Sequence, residues 1–257
     1  MTTTPVGMRC PECARQRTKV HTMRSVATQP RVTYALIAIN VLVFVIGGGI
    51  SVSSGLPGGV VHVDACGPTA NAIQQHGALC GPSIADAHEY WRLITAGFLH
   101  ANLLHIGFNM YLLYVLGLIL EPAIGSLRFG ALYFASLVAG SFGALLVTPY
   151  GNTIGASGAV FGLMGAAVVE ARARGISVVQ NQIGFLIVIN LVFSFTVSGI
   201  SIGGHIGGLV GGALAALAFQ LGERFRSPML GLGACAALAI AALAGSLAVA
   251  GGSGLSG

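Results

Sequence analysis

The sequence predicts an all-α polytopic membrane protein with seven spans, and three observations carry that prediction. Mean hydropathy is +0.84. Only 7% of the residues are charged, against about a quarter in a soluble domain, which excludes an ordinary soluble fold. Long runs with few or no charges cover 32–50, 99–120, 129–148, 155–169, 181–200, 202–221 and 228–250. Most approach the ~20 residues that carry a helix across ~30 Å of hydrocarbon, the run at 155–169 being the short one. No strand-like alternation of polarity marks a β-barrel, so the spans are read as helices with internally satisfied backbones.

Charge placement gives an expected orientation, because basic residues are retained on the cytoplasmic side. Arg9, Arg15, Arg17, Lys19, Arg24 and Arg31 precede the first span, and Arg128, Arg172, Arg174, Arg224 and Arg226 fall in alternate later loops. Of the 12 basic residues, Arg92 alone lies on the other side. The expectation is a multi-pass protein of the plasma membrane with its N-terminus cytoplasmic and its C-terminus outside. The net charge of +5 follows from this asymmetry and implies no nucleic-acid partner. No cleavable signal-peptide pattern precedes the first span.

Taken in order, residues 1–31 form a basic cytoplasmic segment carrying Cys10-Pro11-Glu12-Cys13. A CxxC pair is half of a zinc-ribbon ligand set, and His21 is the one candidate for a third ligand where zinc wants four. A flexible basic tail with reduced thiols is the competing reading. The first span ends in Gly47-Gly48-Gly49 and opens a long external loop, 51–97. Loops of that length carry function or short elements of their own. Cys66 and Cys80 fall in it, where an oxidising compartment makes a disulfide feasible. His62, His76 and His88 lack metal-ligand spacing and are read as ordinary polar residues. Trp91-Arg92 closes the loop at the headgroup level that Trp and Tyr prefer.

The second span contains His105 and Asn109, four apart and so on one helix face. His100 lies off that face and reads as a packing or loop-tethering residue. The fourth span begins at Gly155-Ala156-Ser157-Gly158 and carries Gly158, Gly162 and Ala166 as a small-residue stripe. In the sixth span Gly204, Gly208 and Gly212 form a matching stripe beside His205. Such stripes let two backbones approach closely enough for a short serine to meet a histidine. A serine between glycines also has a purely structural reading as a small contact residue. Depth decides between them. Glu121, Glu170 and Glu223 serve as markers of the cytoplasmic boundary. Counting back from them puts Asn109 ~18 Å, Ser157 ~20 Å, His105 ~24 Å and His205 ~27 Å away at about 1.5 Å per residue. All four fall in one layer, on the outer side of the bilayer midplane and toward its outer third.

A serine hydroxyl is a weak nucleophile and needs a base within hydrogen-bond reach, for which imidazole is suited near pH 7. Ser157 is the candidate nucleophile and His205 the base. The oxyanion that forms on an amide carbonyl must meet preorganised donors, and the Ser157 backbone N–H, the Asn109 amide and the His105 ring are the candidates. No Asp or Glu lies at this depth, so a dyad is expected rather than a triad. Position 159 is Ala, unlike the G-x-S-x-G of soluble hydrolases.

With these residues assembled, the chain resembles a rhomboid intramembrane serine protease. The resemblance rests on Trp91-Arg92, His100, His105, Asn109, Gly155-Ala156-Ser157-Gly158, and His205 with Gly208 and Gly212. It covers about 32–221 and implies a six-helix protease core with a water-filled cavity open to the outside. Residues 222–257 then supply a cytoplasmic loop, a seventh helix and a short external tail. The resemblance implies a Ser157/His205 dyad, oxyanion stabilisation by His105 and Asn109, support from Gly155, Gly158, Phe161 and His100, and a loop anchor at Trp91 and Arg92. It further implies single-span membrane proteins as substrates, the lipid bilayer as the medium, and no cofactor. Phe161 stands where family members often have Tyr and can still pack beneath the imidazole. The CxxC is similar to the tail end of a zinc ribbon appended to some actinobacterial rhomboids, which implies a natural start upstream of Met1. Two other classes compete: an inactive rhomboid-like protein that binds membrane helices, and a transporter using intramembrane histidines as a proton relay.

Overall fold

The computed structural model describes residues 2–4, 7–9, 29–48, 62–69, 71–176, 182–196 and 200–252. All seven expected spans are helices. They are α1 (Arg31–Ile46), α5 (Leu103–Ile124), α6 (Ser126–Val147), α7 (Ser157–Ala173), α8 (Gln182–Thr196), α9 (Ile202–Arg224) and α10 (Pro228–Gly252). Among the described residues α5, α6, α9 and α10 are each long and apolar enough to cross a membrane alone, while α1 is a shorter apolar helix. The loop before α5 holds three short helices, α2 (Ala72–Gly77), α3 (Gly81–Ala85) and α4 (Arg92–Thr95), with a 3-10 turn over Ala96–Phe98. Two small antiparallel hairpins qualify the all-α expectation: β1 (Thr2–Thr4) with β2 (Gly7–Arg9), and β3 (His62–Asp64) with β4 (Gly67–Thr69). Cys10, Cys13 and His21 lie outside the described residues.

Helix ends follow local chemistry more closely than hydropathy. The second span starts at Leu103 rather than 99 because Asn102 is its N-cap, the side chain accepting from the His105 N–H at 2.9 Å. It ends at Gly125, whose φ of 87° turns the chain straight into α6; a residue with a side chain would be strained there. Ser201 caps α9 in the same way, its Oγ accepting from the Gly204 N–H at 3.2 Å.

At the centre α9 packs on α6 and α7, and glycine makes this contact. A Cβ on Gly208 would strike the Gly158 carbonyl, and one on Gly212 would strike the Gly162 carbonyl. Opposite them, a Cβ on Gly143 or Gly203 would strike the other residue's carbonyl oxygen. In lipid, close backbone packing replaces the hydrophobic drive between helices. The core around this contact includes Leu113, Leu116, Phe129, Leu132, Leu163 and Met164, all nearly solvent-free. Helix α10 lies against α9 and α6 and reaches α3.

Two buried charges fasten the periphery. Glu121 is fully buried; its carboxylate accepts from the Val32 N–H at 2.9 Å, the Thr33 N–H at 2.8 Å, the Thr33 hydroxyl at 2.7 Å and the Ser126 hydroxyl at 2.6 Å. It therefore caps the start of α1 from the last turn of α5, so it meets neighbouring helix ends rather than water. Arg92 is 2% exposed and donates to Ala78 O and Gln75 O, both at 2.7 Å, and to the Glu89 carboxylate at 2.6 Å. Cys66 and Cys80 form a disulfide that ties the β3–β4 hairpin to the start of α3.

Candidate active site

The stretch before Ser157 is held from two sides. Leu79 and Thr153 exchange backbone hydrogen bonds at 2.9 and 3.0 Å, Gly81 N–H donates to Pro149 O at 2.9 Å, and Gly155 N–H donates to Ala96 O at 2.9 Å. The Asn152 amide donates to Gly67 O at 3.3 Å, so the disulfide-bonded hairpin touches the same stretch. These bonds deliver Gly155 with φ of 127° to the mouth of α7. Only glycine fits there, since a Cβ would lie 2.8 Å from His105 Nε2 and 3.5 Å from Ser157 Oγ. The same numbers place the His105 ring and the Ser157 hydroxyl at the border of one small space.

His205 is 7% exposed, and its ring stacks on Phe161 with centroids 4.1 Å apart and planes 15° apart. Phe161 lies four residues after Ser157, one helical turn along the same face. The start of α9 touches the start of α7: a Cβ on Gly158 would lie 3.4 Å from Gly204 O. The structure thus brings Ser157, Phe161 and His205 to one seam.

His105 Nδ1 accepts a long hydrogen bond of 3.4 Å from the Ala101 N–H. In the neutral ring that leaves the proton on Nε2, the atom facing Gly155. Asn109 is 5% exposed and spends one amide N–H on His105 O at 2.9 Å. His100 is buried, meets the His105 ring edge-on at 5.1 Å, and is tied to α2 through its carbonyl, which accepts from Gln74 Nε2 at 3.0 Å. Trp91 is half exposed and donates its indole N–H to His76 O at 3.0 Å, beside the Arg92 hub. A cavity of 30 Å³ adjoins Ser157, lined among others by Thr153, Gly155, Gly158 and Ser201. That volume suits a single water. Among the described residues no group of three His, Cys, Asp or Glu side chains is arranged to hold a metal.

A serine and two histidines thus lie near the mouth of glycine-packed membrane helices. The rhomboid domain family matches residues 87–221, just over half of the chain. The chain belongs to the rhomboid family. Among its relatives, Rhomboid protease GluP of Bacillus subtilis is 34% identical over 211 residues, 79% of this chain and 38% of that protein. Rhomboid-like protease 1 of Toxoplasma gondii is 36% identical over 157 residues, 56% of this chain and 52% of that protein. Inactive RHOMBOID-like protein 8 of Arabidopsis thaliana is 32% identical over 128 residues, 50% of this chain and 36% of that protein. The matches thus cover only 36% to 52% of the length of these relatives.

This rhomboid also depends on residues that sequence reading passed over. Asn102 sets the start of the helix that carries His105, and an Asn immediately before an apolar run is a readable cap signal. Ser201 does the same for His205. The pairing of Leu79 with Thr153 left no signal, because neither residue has a side chain that advertises backbone pairing across 74 positions.

Proposed function

We propose that this rhomboid is an intramembrane serine endopeptidase working with a Ser157/His205 dyad. Ser157 Oγ attacks the carbonyl carbon of a peptide bond while His205 takes the hydroxyl proton. The oxyanion receives hydrogen bonds from His105 Nε2–H, from the second N–H of the Asn109 amide and from the Ser157 backbone N–H. His205 then protonates the departing amine, leaving an acyl-serine. Water reverses the sequence: His205 takes its proton, hydroxide adds to the ester carbonyl, and Ser157 leaves with the proton returned. Phe161 holds the imidazole flat against α7. Residues 32–221 constitute the catalytic core.

The observation that carries this reading is the space over Gly155, which His105 Nε2 and Ser157 Oγ both border while His205 is stacked on Phe161, one turn along the serine's face. The Cys66–Cys80 disulfide supports an extracytoplasmic position for the serine end, in agreement with the basic residues. The substrates on this reading are single-span membrane proteins cut near the extracytoplasmic end of their helix.

The test is fluorophosphonate labelling of the purified protein in liposomes beside Ser157→Ala and His205→Ala. Labelling of the wild type and of neither variant is the expected result. A folded wild type that neither labels nor cuts a transmembrane reporter would instead favour the inactive helix-binding class, to which one relative is assigned by name. Phe161→Ala is expected to slow labelling by about tenfold, the upper value for losing an aromatic stack, and Phe161→Tyr to leave it near wild type.

A further inference from the structure

Away from the serine, α9 and α10 diverge from their contact at Gly222 and Gly231 and leave a trench between them. Its lower part, 760 Å³, runs from Arg224 past Leu221 and Leu217 to Leu214. Its upper part, 470 Å³, continues between α6, α9 and α10 to Val147. Leu214, Leu238 and Ala241 line both parts, so the two are one continuous groove. The leucines face outward, with Leu221 45%, Leu217 49% and Leu214 44% exposed.

The charge is asymmetric. Among the described residues Arg224 is the one ionisable side chain lining either part and forms no ion pair. The neighbouring carboxylate, Glu223, is already matched by Arg128, whose guanidinium also lies over the Phe219 ring at 5.8 Å. Arg226 follows two residues later. The end of the groove therefore presents an unmatched cation, and the groove itself presents carbon. From Arg224 to Leu214 is ten residues, ~15 Å of helix, which is half of a ~30 Å hydrocarbon layer. The lower part thus spans one leaflet.

We infer that the α9–α10 groove seats an anionic phospholipid, its phosphate on Arg224 and an acyl chain along Leu221, Leu217 and Leu214. Because acyl chains are as apolar as leucine, the chain alone gives little selectivity and the headgroup charge decides which lipid stays. A cation near an anionic headgroup is expected to favour it about fivefold over a zwitterionic one. The inference is independent of the protease reading, since no residue of the groove belongs to the dyad or its oxyanion donors.

The full chain is reconstituted in nanodiscs of equal phosphatidylglycerol and phosphatidylcholine, extracted, and weighed intact by native mass spectrometry. The wild type is expected to retain phosphatidylglycerol about fivefold over phosphatidylcholine. Arg224→Gln is expected to abolish the preference, and Leu217→Trp, which fills the groove from an exposed position, to remove retained lipid of both kinds. Arg174→Gln should behave as wild type. Equal retention of the two lipids by the wild type overturns the inference. So does retention unchanged in Leu217→Trp, which would place the lipid elsewhere, or an equal loss in Arg174→Gln, which would make the effect one of general charge.

Discussion

Arg92 and Glu121 are both buried, at 2% and 0% exposure, and they belong to opposite ends of the bundle. Each solves the same problem with opposite chemistry. The end of a short helix leaves carbonyls without partners and the start of a helix leaves N–H groups without partners. Arg92 donates to the carbonyls of Gln75 and Ala78 at the end of α2, and Glu121 accepts from the N–H groups of Val32 and Thr33 at the start of α1. Both signs suit the helix dipole. What differs is redundancy. The Arg92 region is also held by the disulfide, the Leu79–Thr153 pairing and the Trp91 indole, whereas α1 is tied to the bundle's polar network through Glu121. The lesson is that the serine end is over-determined, as a preorganised site requires, while at the far end the start of α1 is capped by one carboxylate and a separate pair, Arg128 with Glu223, joins α6 to α9.

The sharpest way to break this comparison is Glu121→Ala, which strands four donors. A loss of about 3–5 kcal/mol is expected, the cost of removing one side of a buried charged network, read as thermal unfolding in detergent. Serine labelling of the fraction that remains folded should persist, because the site is distant. Next in size, Cys66→Ser with Cys80→Ser removes a cross-link of sequence separation 14, worth about 3 kcal/mol by loop closure. Here the expected signature is local: faster proteolysis of the 62–80 segment, with the membrane helices melting nearly as before. Arg92→Lys keeps the charge but cannot reach three acceptors in three directions, and a loss of about 1.5–3 kcal/mol is expected. Combined with the cysteine variant it should cost more than the sum of the two, since both hold one loop; additive losses would show that the two fastenings act separately. The smallest effect belongs to Arg174→Gln, which breaks an exposed i,i+4 pair with Glu170. A change of about 0.5 kcal/mol or less is expected there.

The degree to which the molecule was legible differs by element. All seven spans could be read because lipid forces every backbone group into helix hydrogen bonds and every span to be apolar over a minimum length. Their starts were less legible: 99 against Leu103 in the second span, because hydropathy does not register an asparagine cap. The stripe of Gly204, Gly208 and Gly212 could be matched to Gly158 and Gly162, because a contact that tolerates no Cβ must be written in glycine. That the Glu121 carboxylate is buried was not legible, since one glutamate at a span's end looks the same whether it meets water or Thr33. The fastening of the loop by Leu79 and Thr153 was not legible at all, because it depends on how loop and helices settle.

By itself the sequence determined the membrane class, the seven helices and the short list of side chains able to do chemistry, because hydropathy, glycine spacing and ionisable residues inside spans are local properties of the chain. Tertiary structure alone decided that Ser157 and His105 both border the space over Gly155, that Leu79 pairs with Thr153, that Cys66 and Cys80 meet, and that α9 and α10 part to leave a groove ending at Arg224. Those are relations between residues far apart in sequence, fixed by how rigid helices pack rather than by any one of them.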